Sequence, residues 1–233
     1  MDQRAPRRRR REQAASGARA STAQLPAAAS LADHAGLEAR ARALAARGDR
    51  QLLGITGAPG AGKSTLGDRL VEAVGPTAVL VSMDGFHLAQ EELDRLGRAL
   101  RKGAIDTFDG DGFLALLRRI REAAGEVVYA PRFRRDLEEP IAGAVPVRPE
   151  HALVVVEGNY LLDAAPSWSE VRKVLDEVWY LEPAEELRVE RLVDRHLSFG
   201  LDRDAAIARA LGSDQHNAER IRLGRSRADL VVR

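Results

Sequence analysis

One eight-residue motif restricts the possible fold of this chain more than any other feature. It fits the pattern G-x-x-x-x-G-K-[ST] at every fixed position and reads Gly57-Ala58-Pro59-Gly60-Ala61-Gly62-Lys63-Ser64. An apolar stretch, 52–56, precedes it, and an amphipathic helical pattern, 63–74, follows it. Glycines let successive backbone N–H groups approach an anion, and the following helix N-terminus adds a favourable dipole. The motif therefore predicts a strand–loop–helix unit that binds polyphosphate.

The side chains at the end of the motif have separate expected tasks. Lys63 is expected to reach the β- and γ-phosphates of a nucleotide, and Ser64 to bind Mg²⁺. Thr65, directly after the motif, is also expected to bind the nucleotide, together with residues 57–64. The chain has only three lysines, Lys63, Lys102 and Lys173, so a lysine at the one position that the motif requires is informative.

Composition excludes several classes of protein. The 233 residues carry a formal net charge of +1, which argues against a dedicated nucleic-acid or membrane-surface protein. The absence of cysteine excludes disulfides, thiol nucleophiles and Cys-ligated metal sites, and it fits a cytoplasmic location. No apolar run approaches the roughly 18 residues of a membrane helix.

The N-terminal segment differs in composition from the rest of the chain. Residues 1–22 have a local charge of +5, and the remaining 211 residues carry −4. Because residues 1–30 are rich in Arg and Ala and poor in large apolar side chains, we expect a disordered tail there. The tail can make weak contacts with nucleic acid, and 31–233 is expected to form a single domain.

The rest of the sequence alternates between strand and helix patterns. Apolar strands are predicted at 52–56, 77–83, 153–156, 178–181 and 228–232, with helices at 30–47, 63–74, around 113–120 and 183–199. Strands separated by helices imply a mainly parallel sheet between helical layers. The predicted class is therefore α/β, a three-layer fold of the P-loop NTPase type.

Two carboxylates follow predicted strands and are expected to face the loop. Asp84 follows the strand 77–83, and Glu157 follows the strand 153–156. In parallel sheets, ligands collect at the carboxyl ends of strands, where both acids would lie. We interpret Asp84 as the general base toward an acceptor hydroxyl and Glu157 as a ligand of Mg²⁺ or its water.

The helix predicted after Pro183 carries arginines at steps of three and four residues. Arg188, Arg191 and Arg195 are expected on the face opposite the apolar positions. From spacing alone, they either close over the phosphates or form a solvated surface.

Three segments in order resemble the phosphoribulokinase/uridine kinase family. They are the loop, Asp84-Gly85-Phe86-His87 and Glu157-Gly158-Asn159-Tyr160. Further similar segments are 102–109, 190–195 (similar to the family's lid helix), Asn217 and 225–230. The resemblance spans about 54–233. It is nearest to a nucleoside/nucleotide kinase-like subgroup and is related to the bacterial type of pantothenate kinase.

This resemblance implies a kinase that uses ATP and Mg²⁺ to phosphorylate a hydroxyl of a small nucleoside, pantothenate-like or sugar-type metabolite. By the same resemblance, Asp84 is the base, Arg191 stabilises the transition state and Arg195 helps to bind the nucleotide. Tyr129 and Asn217 match positions that contact the acceptor in pantothenate kinases. His87 is interpreted either as an acceptor contact or as a structural residue.

One departure from the family bears on the acceptor. Pantothenate and uridine kinases have a histidine shortly after the position of Tyr129, whereas Pro131, Arg132 and Phe133 follow it here. This argues against both pantothenate and uridine. Arg132 in the acceptor site would favour an anionic substrate, although it could equally pair with Asp136 or Glu138.

Two other functions remain open at the level of the sequence. A regulatory P-loop NTPase would act on a partner protein and would need no acceptor pocket. A nucleic-acid-dependent ATPase is suggested only by the arginine-rich tail. The oligomeric state is also open, a homodimer included.

Overall fold

The computed structural model describes residues 27–31, 33–123 and 125–233. Within them, eight helices and eight strands follow each other along the chain, together with four short 3₁₀ turns. The strands are β1 Ala27–Ala29, β2 Gln51–Gly57, β3 Ala78–Ser82, β4 Val128–Arg134, β5 Glu139–Val147, β6 Leu153–Glu157, β7 Glu177–Leu181 and β8 Leu230–Val232. The helices are α1 His34–Ala45, α2 Lys63–Val74, α3 Gln90–Arg95, α4 Gly110–Glu122, α5 Pro166–Val174, α6 Glu185–Ser198, α7 Arg203–Leu211 and α8 Ser213–Arg222.

A six-stranded sheet forms the centre of the molecule, in the order β1-β8-β7-β2-β6-β3. All five strand pairs are parallel. β2, β6 and β7 are buried along their whole length, as expected for strands covered on both faces. The predicted α/β class with a mainly parallel sheet is confirmed.

Alternate residues of the central strands enter two separate cores. Leu53 and Val155 pack with α1 and α2 on one face of the sheet. Leu52 and Val156 pack with α4, α5 and the β4–β5 hairpin on the other. This division follows from the two-residue repeat of a strand, which points successive side chains to opposite faces.

The sequence prediction differs from the structure in the tail, in the hairpin β4–β5 and in the helices α3, α5, α7 and α8, which were not predicted. The expected tail includes residues 27–29, but these form β1, which pairs with β8; residues 1–26 lie outside the described residues. The antiparallel hairpin β4–β5 was not predicted, because its exposed tip and its register shift between Ala130 and Arg132 interrupt the alternation that identifies a strand.

No helix within the described part of the chain is long and apolar enough to span a membrane.

Candidate active site

A cavity of about 420 Å³ lies at the carboxyl ends of β2, β3 and β6. The loop between β2 and α2 contributes Pro59 to its walls, and the first turn of α2 contributes Lys63 and Ser64. The turn after β3, the segment 102–108 before α4, the hairpin β4–β5, the end of β6 and the helices α6 to α8 contribute the remaining walls. Eight of the residues predicted from the sequence line this one cavity: Pro59, Lys63, Ser64, Asp84, His87, Glu157, Arg195 and Asn217.

The backbone of the loop requires glycine at particular positions. Gly60 and Gly62 have φ angles of 81° and 92°, in the left-handed region that side chains disfavour. A Cβ on Gly60 would lie 2.6 Å from the carbonyl oxygen of Arg188 and 2.8 Å from Cγ of Leu192. The loop is therefore packed directly against α6, and only glycine fits between them.

Lys63 points into the cavity from the first turn of α2. Its Nζ donates hydrogen bonds to the carbonyl oxygens of Gly57, at 3.0 Å, and Ala58, at 3.1 Å. Burial lowers the pKa of Lys63 to about 8, although the nearby Glu157 and Asp84 carboxylates oppose this shift. An ammonium held in this way is directed at the space that the loop encloses.

Glu157 is buried at the end of β6, with two hydroxyl groups on its carboxylate. Ser64 Oγ donates to Oε2 at 3.3 Å, and Ser82 Oγ donates to Oε1. Burial raises the pKa of Glu157, and the Asp84 carboxylate raises it further, while Lys63 opposes both. The Ser64 hydroxyl and the Glu157 carboxylate are oxygen ligands of the kind that Mg²⁺ prefers, so these residues fit the predicted metal site.

Asp84 lies in the 3₁₀ turn that follows β3. Ser82 Oγ accepts the backbone N–H of Asp84 at 3.2 Å, so one serine contacts both predicted acids. The Asp84 carboxylate forms an ion pair with Arg135, with 3.3 Å between Oδ2 and Nη2. It lines the same cavity as Lys63 and Glu157, as the strand-end argument predicted.

His87 is enclosed by aromatic rings beside Asp84. Its Nδ1 lies 3.1 Å from the carbonyl oxygen of Asp84, and its ring centroid lies 4.0 Å from that of Phe108 and 4.9 Å from that of Phe133. Burial is the main cause that lowers the pKa of His87, against the opposing charge of Asp84. A neutral imidazole at the cavity wall leaves both interpretations of His87 open.

The three arginines of α6 separate, contrary to the expectation that they share one outer face. Only Arg195 lines the cavity. Arg188 is 2% exposed and donates to the carbonyl oxygen of Pro59 at 3.2 Å, which fixes α6 to the loop. Arg191 lies outside the cavity, in a groove with Gly62 and Thr65, and its Nη1 would be 3.4 Å from a Cβ on Gly62. Arg191 thus lies beside the loop without reaching the acid cluster in this conformation.

Two of the predicted acceptor contacts do not line the cavity. Tyr129 is 58% exposed, and Arg132 is exposed on β4. The register shift between Ala130 and Arg132 changes which side chains face inward, so Phe133 lines the cavity in place of Arg132. Neither of the predicted partners of Arg132 is confirmed, because Asp136 pairs with Arg134 and Glu138 pairs with Lys102. Asn217 lines the cavity and donates from Nδ2 to the carbonyl oxygen of Gly103 at 3.4 Å.

Sequence reasoning missed several residues of the cavity neighbourhood, the charged Arg209 and Asp214 among them. Lys102 and Arg135 line the cavity, and Ser82 holds the two acids beneath it. Lys102 could have been found from the scarcity of lysine in the chain. Arg135 and Ser82 carry no comparable signal, since the chain is rich in arginine and a serine at a strand end is common.

Known proteins are similar to this chain in sequence, and a solved structure is similar to it in fold. No protein-family model matches the chain. A proposed uridine kinase of Schizosaccharomyces pombe is 36% identical over 195 residues, which cover 78% of this chain and 83% of the relative. An ATP-dependent kinase-like protein of Aspergillus versicolor is 36% identical over 148 residues, 60% of this chain and 86% of the relative. The crystal structure of a proposed fructose transport system kinase from Silicibacter sp. TM1040 is 40% identical, with a TM-score of 0.76 over 84% of this chain and 98% of that one.

The parallel sheet, the glycine loop against α6 and these similarities together define a P-loop kinase with a helical lid. The chain belongs to the phosphoribulokinase/uridine kinase family, as the sequence predicted. It is a small-molecule kinase, a phosphotransferase that uses ATP and an alcohol acceptor.

Proposed function

We propose that this protein transfers the γ-phosphoryl group of ATP, in the presence of Mg²⁺, to a hydroxyl of a nucleoside, pantothenate-like or sugar-type metabolite. One observation carries the proposal: the phosphate-binding residues Lys63 and Ser64 share a cavity of about 420 Å³ with Asp84 and Glu157. A regulatory NTPase needs a site for water but no space for an acceptor beside the base. The shared cavity therefore favours the kinase.

The residues of the cavity have separate roles in an in-line transfer of the phosphoryl group. The loop amides and Lys63 bind the phosphates of the donor, and Ser64 and Glu157 would hold Mg²⁺. Bound Mg²⁺ neutralises charge on the phosphate oxygens. The Asp84 carboxylate orients the acceptor hydroxyl and takes its proton as the new oxygen–phosphorus bond forms. The bond between the γ-phosphorus and the β–γ bridging oxygen breaks in the same step, and ADP leaves with that oxygen. Arg195 lies at the cavity wall, where its charge can stabilise the transferring group, and Arg191 would need a movement of α6 to join it.

Replacement of the base tests this division of roles. Asp84→Asn removes the proton acceptor but keeps the shape of the side chain, so kcat is expected to fall by about 10²–10⁴ while the Kd for ATP changes little. Lys63→Ala is expected to weaken ATP binding as well. Asp136→Asn, on the exposed hairpin tip, is the matched control and should retain activity, because Asp136 pairs only with Arg134 among the described residues.

The assay measures ADP formation together with the mass of the product, for a panel of nucleosides, pantothenate, sugars and sugar phosphates. Normal turnover by Asp84→Asn would refute the role of this carboxylate. Slow ATP consumption that is indifferent to every metabolite would instead favour the regulatory NTPase.

A further inference from the structure

One wall of the cavity carries two cations that the transfer mechanism does not use. The hairpin β4–β5 and the segment before α4 form this wall, which we name the acceptor wall; it consists of Lys102, Phe133, Arg135 and Glu138. Both cations lie near the same aromatic ring, since Lys102 Nζ is 5.2 Å and Arg135 Cζ is 6.0 Å from the centroid of Phe133. The wall continues to Asp84 through its ion pair with Arg135.

Lys102 is held in place by oxygens of neighbouring elements. Its side chain is only 11% exposed, and Nζ donates to the carbonyl oxygen of Glu138 at 2.6 Å and to Oε1 of Gln90 at 3.2 Å. The nearest carboxylate oxygen, on the exposed Glu138 side chain, is 3.7 Å away. Glu138 itself has a φ of 55°, a conformation uncommon for a residue other than glycine. The hairpin tip thus positions a largely buried ammonium group at the cavity wall and neutralises it only weakly.

Arg135 is held in place by contacts from three directions. Its guanidinium lies 6.0 Å from the ring of Phe133 on the hairpin and 5.9 Å from the ring of Phe199 at the end of α6. Its charged partner is Asp84, the carboxylate proposed to take the acceptor proton. Because the Arg135 and Asp84 side chains are 46% and 29% exposed, this ion pair contributes little and can be exchanged for another partner.

We propose that the acceptor carries a carboxylate or phosphate group, bound by Lys102 and Arg135, in addition to the hydroxyl that faces Asp84. This inference rests on the proposed function and names the substrate class of the same site. An anionic group on the acceptor wall gives Arg135 a new partner and releases Asp84 to act as the base. A neutral acceptor leaves Arg135 paired with the carboxylate that must accept the proton.

The size of the cavity limits such an acceptor to a small molecule. The volume of about 420 Å³ must hold the phosphates of the donor as well as the acceptor. A hydroxy acid or a phosphorylated sugar fits this description. The carboxylate and the phosphate share the chemistry that an arginine and a lysine recognise, and the experiment separates them.

Direct binding tests the inference without turnover. The full-length protein is first saturated with Mg²⁺ and a non-hydrolysable ATP analogue, so that the loop is occupied, and is then titrated calorimetrically with glycerate and with fructose 6-phosphate. Binding of at least one probe is expected, with Kd raised roughly 10- to 100-fold in Lys102→Met and Arg135→Met. Arg135→Lys should recover part of the affinity. Lys173→Met and Arg134→Met, at exposed positions outside the cavity, are the matched controls and should bind as the parent does.

Turnover with matched pairs gives a second measurement. Glycerate is compared with glycerol, and fructose 6-phosphate with fructose, by ADP formation and product mass. The charged member of a pair is expected to have a kcat/KM at least tenfold higher, an advantage that Arg135→Met removes.

The outcomes separate this inference from the proposed function. Absence of binding by both charged probes, unchanged binding in both methionine variants, or equal use of a neutral alcohol and its charged counterpart would overturn the inference while leaving the kinase intact. Binding that depends on Lys102 and Arg135 but yields no phosphorylated product would support the anion site and count against the proposed transfer.

Discussion

Ser82 links the two proposed catalytic acids, and its removal should disturb both of them. Its hydroxyl donates to Glu157 Oε1 and accepts the backbone N–H of Asp84. Ser82→Ala therefore removes one hydrogen bond to a buried carboxylate and one cap of the turn that carries the base.

The size of the effect follows from these two contacts. A hydrogen bond to a charged group contributes about 1.5–3 kcal/mol, and a cap contributes about 1 kcal/mol. We expect the free energy of unfolding to fall by about 2.5–4 kcal/mol and the Tm to fall by roughly 5–15 °C. Because the lost hydrogen bond favours the ionised carboxylate, the pKa of Glu157, already raised by burial, should rise further.

The assay is the Mg²⁺ dependence of kinase activity between pH 6 and 9. A protonated Glu157 cannot bind Mg²⁺, so the pH below which Mg²⁺ activation is lost should move upward in Ser82→Ala. Ser82→Thr keeps the hydroxyl and should behave as the parent. Ser169→Ala is the control for loss of an ordinary serine, because within the described part of the chain its hydroxyl bonds only the carbonyl oxygen of Pro166, in the same helix α5. An unshifted pH profile in Ser82→Ala would refute the link between this hydroxyl and the metal site.

Two further predictions concern the loop. Gly60→Ala places a Cβ against the Arg188 carbonyl oxygen and should lower the free energy of unfolding by about 2–4 kcal/mol. Gly48→Ala, at a φ of 94° with open space around it, should show only the backbone strain of about 1–2 kcal/mol. Chemical denaturation measures both losses, and equal losses would count against close packing of the loop on α6. Because burial lowers the pKa of Lys63 to about 8, its ammonium loses its proton above that pH, so the Kd for ATP should be level below pH 8 and rise about tenfold per pH unit above it. Calorimetric titration with ATP checks this second prediction, which a level Kd up to pH 10 would contradict.

The sequence by itself determined the parts of this protein that are local. The glycine motif specifies its own backbone, and the apolar runs identify the buried parallel strands, because these signals lie within a few consecutive residues. Asp84 and Glu157 could be placed for the same reason: each directly follows a strand predicted from the sequence, and parallel strands end at one edge of the sheet.

Only the tertiary structure decided which cations face the cavity. The helical repeat places Arg188, Arg191 and Arg195 near one another, but the packing of α6 on the loop buries the first, leaves the second outside the cavity and directs only the third into it. The register shift in the hairpin likewise turns Arg132 outward, while Arg135 meets Asp84, 51 positions earlier in the chain. The helical repeat predicts which side chains share a face of a helix. Which other element covers that face depends on contacts between segments that are distant in the sequence.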